Sequence, residues 1–338
     1  MSGLALIRVW FGGMAKEEET AVLIYLGCCA VLAFATAILL ALQGASPVAA
    51  AHAAFAVGAM PLVFAAMGHF VPVLTRTGGE PSGLRHLPRW MQAAGALAVG
   101  GLAGVLPGVA LHGAAVAGLV GAGALLAWVR RRGRRTLGRP HPGVAWYAAA
   151  LGCLMVALLA ILVGLAWPAA YPALRLAHLH LNTLGFIGLT ALGTLQVLMP
   201  TVLGVQDPGA VVRLHGHLRW ALAAVGLTAL AAGVPTLAVA GGGLYGGLLG
   251  LTVVTWWRTW GARLLRDGAA ASLLARRLPG ADAEPAVVAA LPQQHQRLLK
   301  QRQRPRQHEL AEAPRRLQQR LRHRGAASAH LRHDGPHR

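Results

Sequence analysis

The stretch VAWYAAALGCLMVALLAILVGLAWP, residues 144–168, carries no Asp, Glu, Lys or Arg from end to end. It is longer than the roughly 20 apolar residues that a helix needs to cross the hydrocarbon core of a bilayer. A surface helix of a soluble domain would show a polar face, and this one shows none. Working outward, seven further stretches read the same way, at about 21–43, 48–75, 90–111, 113–129, 175–204, 217–234 and 235–257. The whole chain agrees: 55% of its 338 residues are hydrophobic and only 12% are charged, and the mean hydropathy is +0.52. Such a chain takes lipid as its solvent. The expected fold is an all-α polytopic bundle of about eight spans.

The charges between spans set the expected orientation, because short loops rich in Lys and Arg stay in the cytoplasm. Arg8 and Lys16 precede the first span. Arg76, Arg85 and Arg89 join spans two and three, and Arg130, Arg131, Arg132, Arg134, Arg135 and Arg139 join spans four and five. Arg213 precedes span seven and Arg258 follows span eight. The links on the other side, such as Gln43–Ser46 and a turn at His112–Gly113, have neither residue; Arg175 is the exception. Both ends are therefore expected inside, in what composition suggests is a bacterial inner membrane. Glu17, Glu18 and Glu19 interrupt the first 20 residues, so no cleavable signal is expected and span one directs insertion. The formal charge of +20 does not point to nucleic acid. From Arg258 onward there are 17 Lys/Arg against 6 Asp/Glu, and this tail, like the Arg130–Arg139 loop, flanks the membrane, where anionic lipid is the natural partner.

The two halves resemble each other. Leu26-Gly27-Cys28 in span one is followed by Ala51-His52 at the start of span two, and Leu151-Gly152-Cys153 in span five by Ala177-His178 at the start of span six. Cys to His is 24 residues in the first copy and 25 in the second. Each His-bearing span ends near a proline, Pro72 or Pro200. The reading is of two parallel four-helix units, residues 21–129 and 144–257. They are joined by a basic loop, 130–143, preceded by a cytoplasmic segment, 1–20, and followed by a basic tail, 258–338. The tail is rich in Arg, Gln, His and Pro and is expected to be disordered. Its composition also resembles a GC-rich gene read out of frame, in which case further spans would follow in the native chain.

No Asp, Glu, Lys or Arg lies in the middle of any of these spans, which weighs against a proton- or cation-coupled transporter. Histidine is the polar side chain kept there. His52, His178 and His180 are expected near the outer ends of inward-running spans at similar depth, with His112 at the outer mouth of span three. Neutral imidazole is a common metal ligand and an axial ligand of haem iron. At about 100° per residue, His178 and His180 point about 200° apart and so serve two different clients. One of them can share a haem with His52. Asn182 and Thr183 lie about one turn below the two histidines, able to hold ring nitrogens or a propionate. The competing explanation for any such histidine is a hydrogen bond to a neighbouring helix. It is the favoured one for His69 and His112, while His215 and His217 read as interfacial. The cysteines, Cys28, Cys29 and Cys153, all fall inside spans and suggest no disulfide framework. Met60, Met67, Met155 and Met199 read as core filler.

The text HLHLNTLGFIGLTALGTLQVLMP, residues 178–200, resembles the His-x-His helix of haem–copper oxidase subunit I, above all its C-type oxidase and nitric-oxide-reductase branch. The segment from His52 through Gly58 to Phe70-Val71-Pro72-Val73-Leu74-Thr75-Arg76-Thr77 is similar to that family's second helix. The same pair also resembles the NnrS family of haem- and copper-containing membrane proteins linked to nitric oxide stress. By this resemblance His52 and His180 would hold a low-spin haem b and His178 a second haem. The electron source would be a donor cytochrome or other respiratory-chain subunits. Copper enters by resemblance alone, with no ligand set visible. The chain lacks the paired histidines and the His-x-x-x-Tyr that the oxidases place before this helix. The resemblance thus implies a haem-binding, electron-transfer or gas-sensing relative rather than an oxidase. Two other readings stay open: a transporter or channel with a histidine-lined path, and an assembly subunit.

Overall fold

The structure, a computed structural model, describes residues 3–77, 84–136, 138–202 and 207–267. The expected disordered tail lies outside the described residues from position 268 on. Every regular element among the described residues is helical. Eight long helices appear. They are α1 (Gly3–Leu42), α2 (Pro47–Thr75), α3 (Leu87–Leu102), α4 (Val109–Arg134), α5 (Gly143–Ala166), α6 (residues 171–202), α7 (Ala210–Ala229) and α8 (Pro235–Asp267). Six helices among the described residues are long and apolar enough to cross a membrane, with α3 and α7 as the two that fall short. α3 has only 16 residues. α7 carries Arg213, His215, His217 and Arg219 in its first half.

Prolines and glycines place the breaks. α3 ends nine residues before the expected 111, because Gly104 takes a left-handed φ of 73° and Pro107 follows it. The new helix starts at Val109, so the turn expected at His112–Gly113 lies earlier in the chain. His112 belongs to the first turn of α4. Between α7 and α8, Gly233 is left-handed at φ 82° and Pro235 opens α8, where its missing N–H costs nothing. α2 closes on Arg76, the one non-glycine residue with positive φ among the described residues, at 52°. The Arg76 N–H donates to the Val73 carbonyl and the Thr77 N–H to the Pro72 carbonyl, closing the last turn.

The core is centred on α5. Trp146, Ala150, Leu154 and Ala157, spaced by one helical turn, are at most 1% exposed. α5 packs on α2, α4, α6 and α7. The Trp146 indole N–H donates to the Leu214 carbonyl at 2.9 Å, tying α5 to α7. Small residues let backbones approach, as expected where lipid provides no hydrophobic drive between helices. A Cβ added at Gly185 would meet the Cys153 side chain at 2.7 Å, and one at Gly193 would meet Trp146 at 2.8 Å. Large apolar side chains point outward instead. Val31, Leu32, Ile38 and Leu42 of α1 and Val239, Leu251 and Trp257 of α8 are more than half exposed. A soluble protein does not present such a surface; a bilayer solvates it.

Two of the eight helices are not uniform. α2 contains a π-helical segment, Ala53–Ala59, and α6 contains another, Leu181–Gly188. Each begins at the residue after a histidine, His52 in α2 and His180 in α6.

Candidate functional site

His52 and His178 face each other across α2 and α6. Their rings lie 6.1 Å apart, centroid to centroid, and within 8° of parallel. The separation exceeds the roughly 3.5–4 Å of rings in van der Waals contact. Each ring is oriented by a backbone carbonyl. His52 Nδ1 is 2.8 Å from the Val48 oxygen, one turn back in the same helix. His178 Nδ1 is 2.9 Å from the Ala157 oxygen on α5. A carbonyl oxygen only accepts, so in both rings Nδ1 carries the proton. The Nε2 of each neutral ring then keeps a lone pair, which in His178 lies 3.3 Å from the Asn182 amide nitrogen; metal-bound histidines are commonly fixed through Nδ1 in this way.

The local sequence explains why the pair can form. Ala51, Ala53 and Ala54 surround His52 and leave its ring room to lie along the helix. On α6 the Asn182 amide donates to the His178 carbonyl at 2.9 Å and stands 3.3 Å from both ring nitrogens, so it bears on ring and backbone together. α2 and α6 show little close backbone packing with each other. They meet through side chains: the two histidines toward one end, and the edge-to-face pair Phe64–Phe186, centroids 6.0 Å apart, further along.

The π segments add a chemical feature, because a π turn shifts hydrogen bonds from i+4 to i+5 and loosens local pairing. On α6 the Leu184 carbonyl accepts a hydrogen bond from the buried Tyr245 hydroxyl of α8 at 3.2 Å. That hydroxyl lies against Gly188, in the space a Cβ would fill. On α2, Gly58 lies against Ala30 and Ala33 of α1.

Of the residues singled out in the sequence, the structure thus brings together His52, His178 and Asn182. His180 is half-buried and makes no contact with His52 like that of His178. Thr183 is turned to its own helix, its hydroxyl donating to the Leu179 carbonyl at 2.8 Å. His69 packs edge-on to Phe70, and both His69 and His112 are exposed. One grouping was not anticipated from the sequence: His215 lines a cavity together with His141, which sits in the loop before α5. The only signal for it was the placing of both residues beside basic segments.

The fit of the pair to a metal centre can be judged from the donors. Two imidazoles on opposite sides of one ion, at roughly 2 Å per N–metal bond, hold their centroids roughly 6–6.5 Å apart. The observed 6.1 Å matches that span. No group of three or more His, Cys, Asp or Glu side chains suited to a metal occurs among the described residues. A two-histidine set therefore suits an ion that brings its own equatorial ligands, as haem iron does. The spacing of the two rings is compatible with their holding such a group. No known protein family, no curated protein and no solved structure matches the chain.

Proposed function

We propose that this protein is a haem b-binding integral membrane protein in which His52 and His178 are the two axial ligands. The observation that carries the reading is the parallel pair at 6.1 Å, with both Nδ1 protons committed to backbone carbonyls. A haem held there would supply one-electron transfer. Were both histidines to hold the iron, the group would supply electron transfer rather than gas reduction, and this pair favours a respiratory electron-transfer role. The protein's own contribution would be to hold the two rings parallel at this spacing, fix their tautomers, and surround them with apolar helices. His180, on the opposite side of α6, is the residue through which a second haem and a link to nitric oxide metabolism would enter. The kinship with haem–copper oxidase subunit I and NnrS belongs to this proposal and rests on the residues quoted for it.

The eight-span arrangement belongs here too. In this reading α3 and α7 also cross, sheltered by their neighbours, both ends lie in the cytoplasm, and the units 21–129 and 144–257 are repeats. The repeat is supported by a π segment following a histidine in each half, and by the packing of each π segment on the helix before it, α1 or α5.

Oxidised and reduced absorption spectra of the detergent-purified protein, with a pyridine haemochrome assay, test the function. Sharp b-type bands are expected, and His52→Ala or His178→Ala should each abolish the low-spin signal. A haem spectrum unchanged in both variants would sink the ligand assignment. A colourless protein with ample haem supply and a normal helical spectrum would favour the second reading, a non-redox transporter. The interrupted helices α2 and α6, separated by side chains along their outer halves, would then line a polar path. Haem that appears only on co-purification with another chain would indicate an assembly subunit.

A further inference from the structure

A second candidate site lies about 20 Å from the histidine pair along α5, judged from the residues between Gly143 and Ala157 at 1.5 Å each. It is a cavity of about 220 Å³ where the end of α4, the loop before α5, and α7 converge. Its surface is almost wholly apolar, with Val129, Val144 and Ala148 among its walls, and Arg130, His141 and His215 are the residues with polar side chains that border it. Among the described residues, no carboxylate lines it.

The loop that carries His141 is built into the bundle. The His141 N–H donates to the Leu74 carbonyl of α2 at 3.4 Å, and the Gly143 N–H donates to His141 Nδ1 at 3.1 Å. Nδ1 is therefore the acceptor, and the neutral ring presents Nε2–H as a donor. Burial first, and then the proximity of His215, push the His141 imidazole below its ordinary value. Two imidazoles thus share one half-buried place with the Arg130 guanidinium close by, and no carboxylate stands among the described residues that line it. Other arginines of this region are engaged: Arg213 is paired with Asp207, and Arg132 lies over the Trp128 ring, 5.4 Å from its centroid. Arg130 is exposed and has no ion-pair partner among the described residues.

We propose that this cavity binds one anionic phospholipid, with acyl carbons on the Val129–Val144–Ala148 wall and phosphate oxygens on Arg130, His141 Nε2–H and His215. Charge complementarity and position select this occupant. The cavity sits where the wholly apolar α5 gives way to the run Arg130–Arg139, which is where a headgroup phosphate lies relative to its own chains. A soluble anion would use the three donors and leave the apolar wall unfilled. The inference rests on the membrane character of the helices and is independent of the haem reading.

Native mass spectrometry of the full-length protein, released from detergent after exchange into phosphatidylglycerol, reads the bound lipid directly. One tightly retained phosphatidylglycerol is expected. Arg130→Gln combined with His141→Gln and His215→Gln should weaken retention by roughly tenfold. Ala148→Phe, which fills the wall and leaves every charge in place, should do the same. Phosphatidylcholine should not substitute, and millimolar inorganic phosphate should not displace the lipid. Retention unchanged in both variants, or equal retention of phosphatidylcholine, would overturn the proposal. Displacement by free phosphate would overturn it in favour of a soluble-anion site.

Discussion

A histidine whose Nδ1–H is given to a carbonyl can act only through Nε2, and His52 and His178 are both in that state. His141 is in the opposite one, with Nδ1 accepting and Nε2–H offered. One residue type thus serves two kinds of chemistry, electron-pair donation at the helix pair and proton donation at the cavity, and the backbone group beside the ring decides which. Two predictions belong to this scale. Asn182→Leu removes the amide that bears on His178 and should broaden or shift the low-spin bands without abolishing them, since both Nε2 atoms remain. Absorption spectra at equal haem loading would show this. For His141, burial and then His215 keep the titration midpoint below the ordinary 6.5. In the pH range between that folded-state midpoint and 6.5, the unfolded chain takes up a proton that the folded chain refuses. The stability held above pH 6.5 is therefore lost as pH falls through this range. NMR titration of His141 should give a midpoint below 6.5 that moves upward in His215→Gln, because the neighbouring imidazole's repulsion is then removed.

At the scale of elements, the interrupted helices are the distinctive feature. Hydropathy periodicity reports which face of a helix is apolar, but it says nothing of whether hydrogen bonds run to i+4 or i+5, so the π segments of α2 and α6 left no trace in the reading of the sequence. Their consequences are testable. Gly188 has the Tyr245 hydroxyl where a Cβ would stand. Gly188→Val should separate α8 from the π turn and cost about 1–3 kcal/mol, whereas Tyr245→Phe should cost only about 1 kcal/mol for the lost bond to Leu184. Thermal unfolding in detergent would rank the two. At the end of α2, Arg76 occupies a left-handed position at φ 52°, which costs a non-glycine residue about 1 kcal/mol. Arg76→Gly should raise the unfolding midpoint, provided that the Thr75 bond to Val71 is kept. Helix breaks, by contrast, were largely legible. Pro47, Pro235 and Gly233 mark starts and stops in plain view. The α3–α4 turn was misplaced toward His112 because the apolar run continues unbroken through Val105 and Leu106, and only the left-handed Gly104 ends the helix there.

For the molecule as a whole, large apolar side chains fill the core and also cover the outside, while alanine and glycine stand at several close helix contacts. The proposed topology makes a direct prediction. Single cysteines introduced at Thr136 and Ser46 into a chain with the native cysteines replaced should label from opposite sides of sealed membrane vesicles, Thr136 from the cytoplasmic side. Labelling of both from one side would mean that an even number of α2, α3 and α4 cross, and would exclude the eight-span arrangement. α3 and α7 can be tested by the same means at Val105 and Gly233.

Composition and the spacing of charges determined by themselves that the chain is helical and lives in lipid, since apolar runs of span length have no stable alternative in water or bilayer. They also placed His52 and His178 on two helices. Which of His178 and His180 meets His52 depended on the rotation of α6 about its own axis, and that rotation is set by contacts far away in sequence: Gly185 against Cys153, Tyr245 on the Leu184 carbonyl, and Ala157 holding the His178 ring. The cavity at His141 and His215 arose in the same way. Depth along a helix is counted in residues, so it can be read from the chain. Azimuth and convergence are products of packing among helices, so only the tertiary structure decided them.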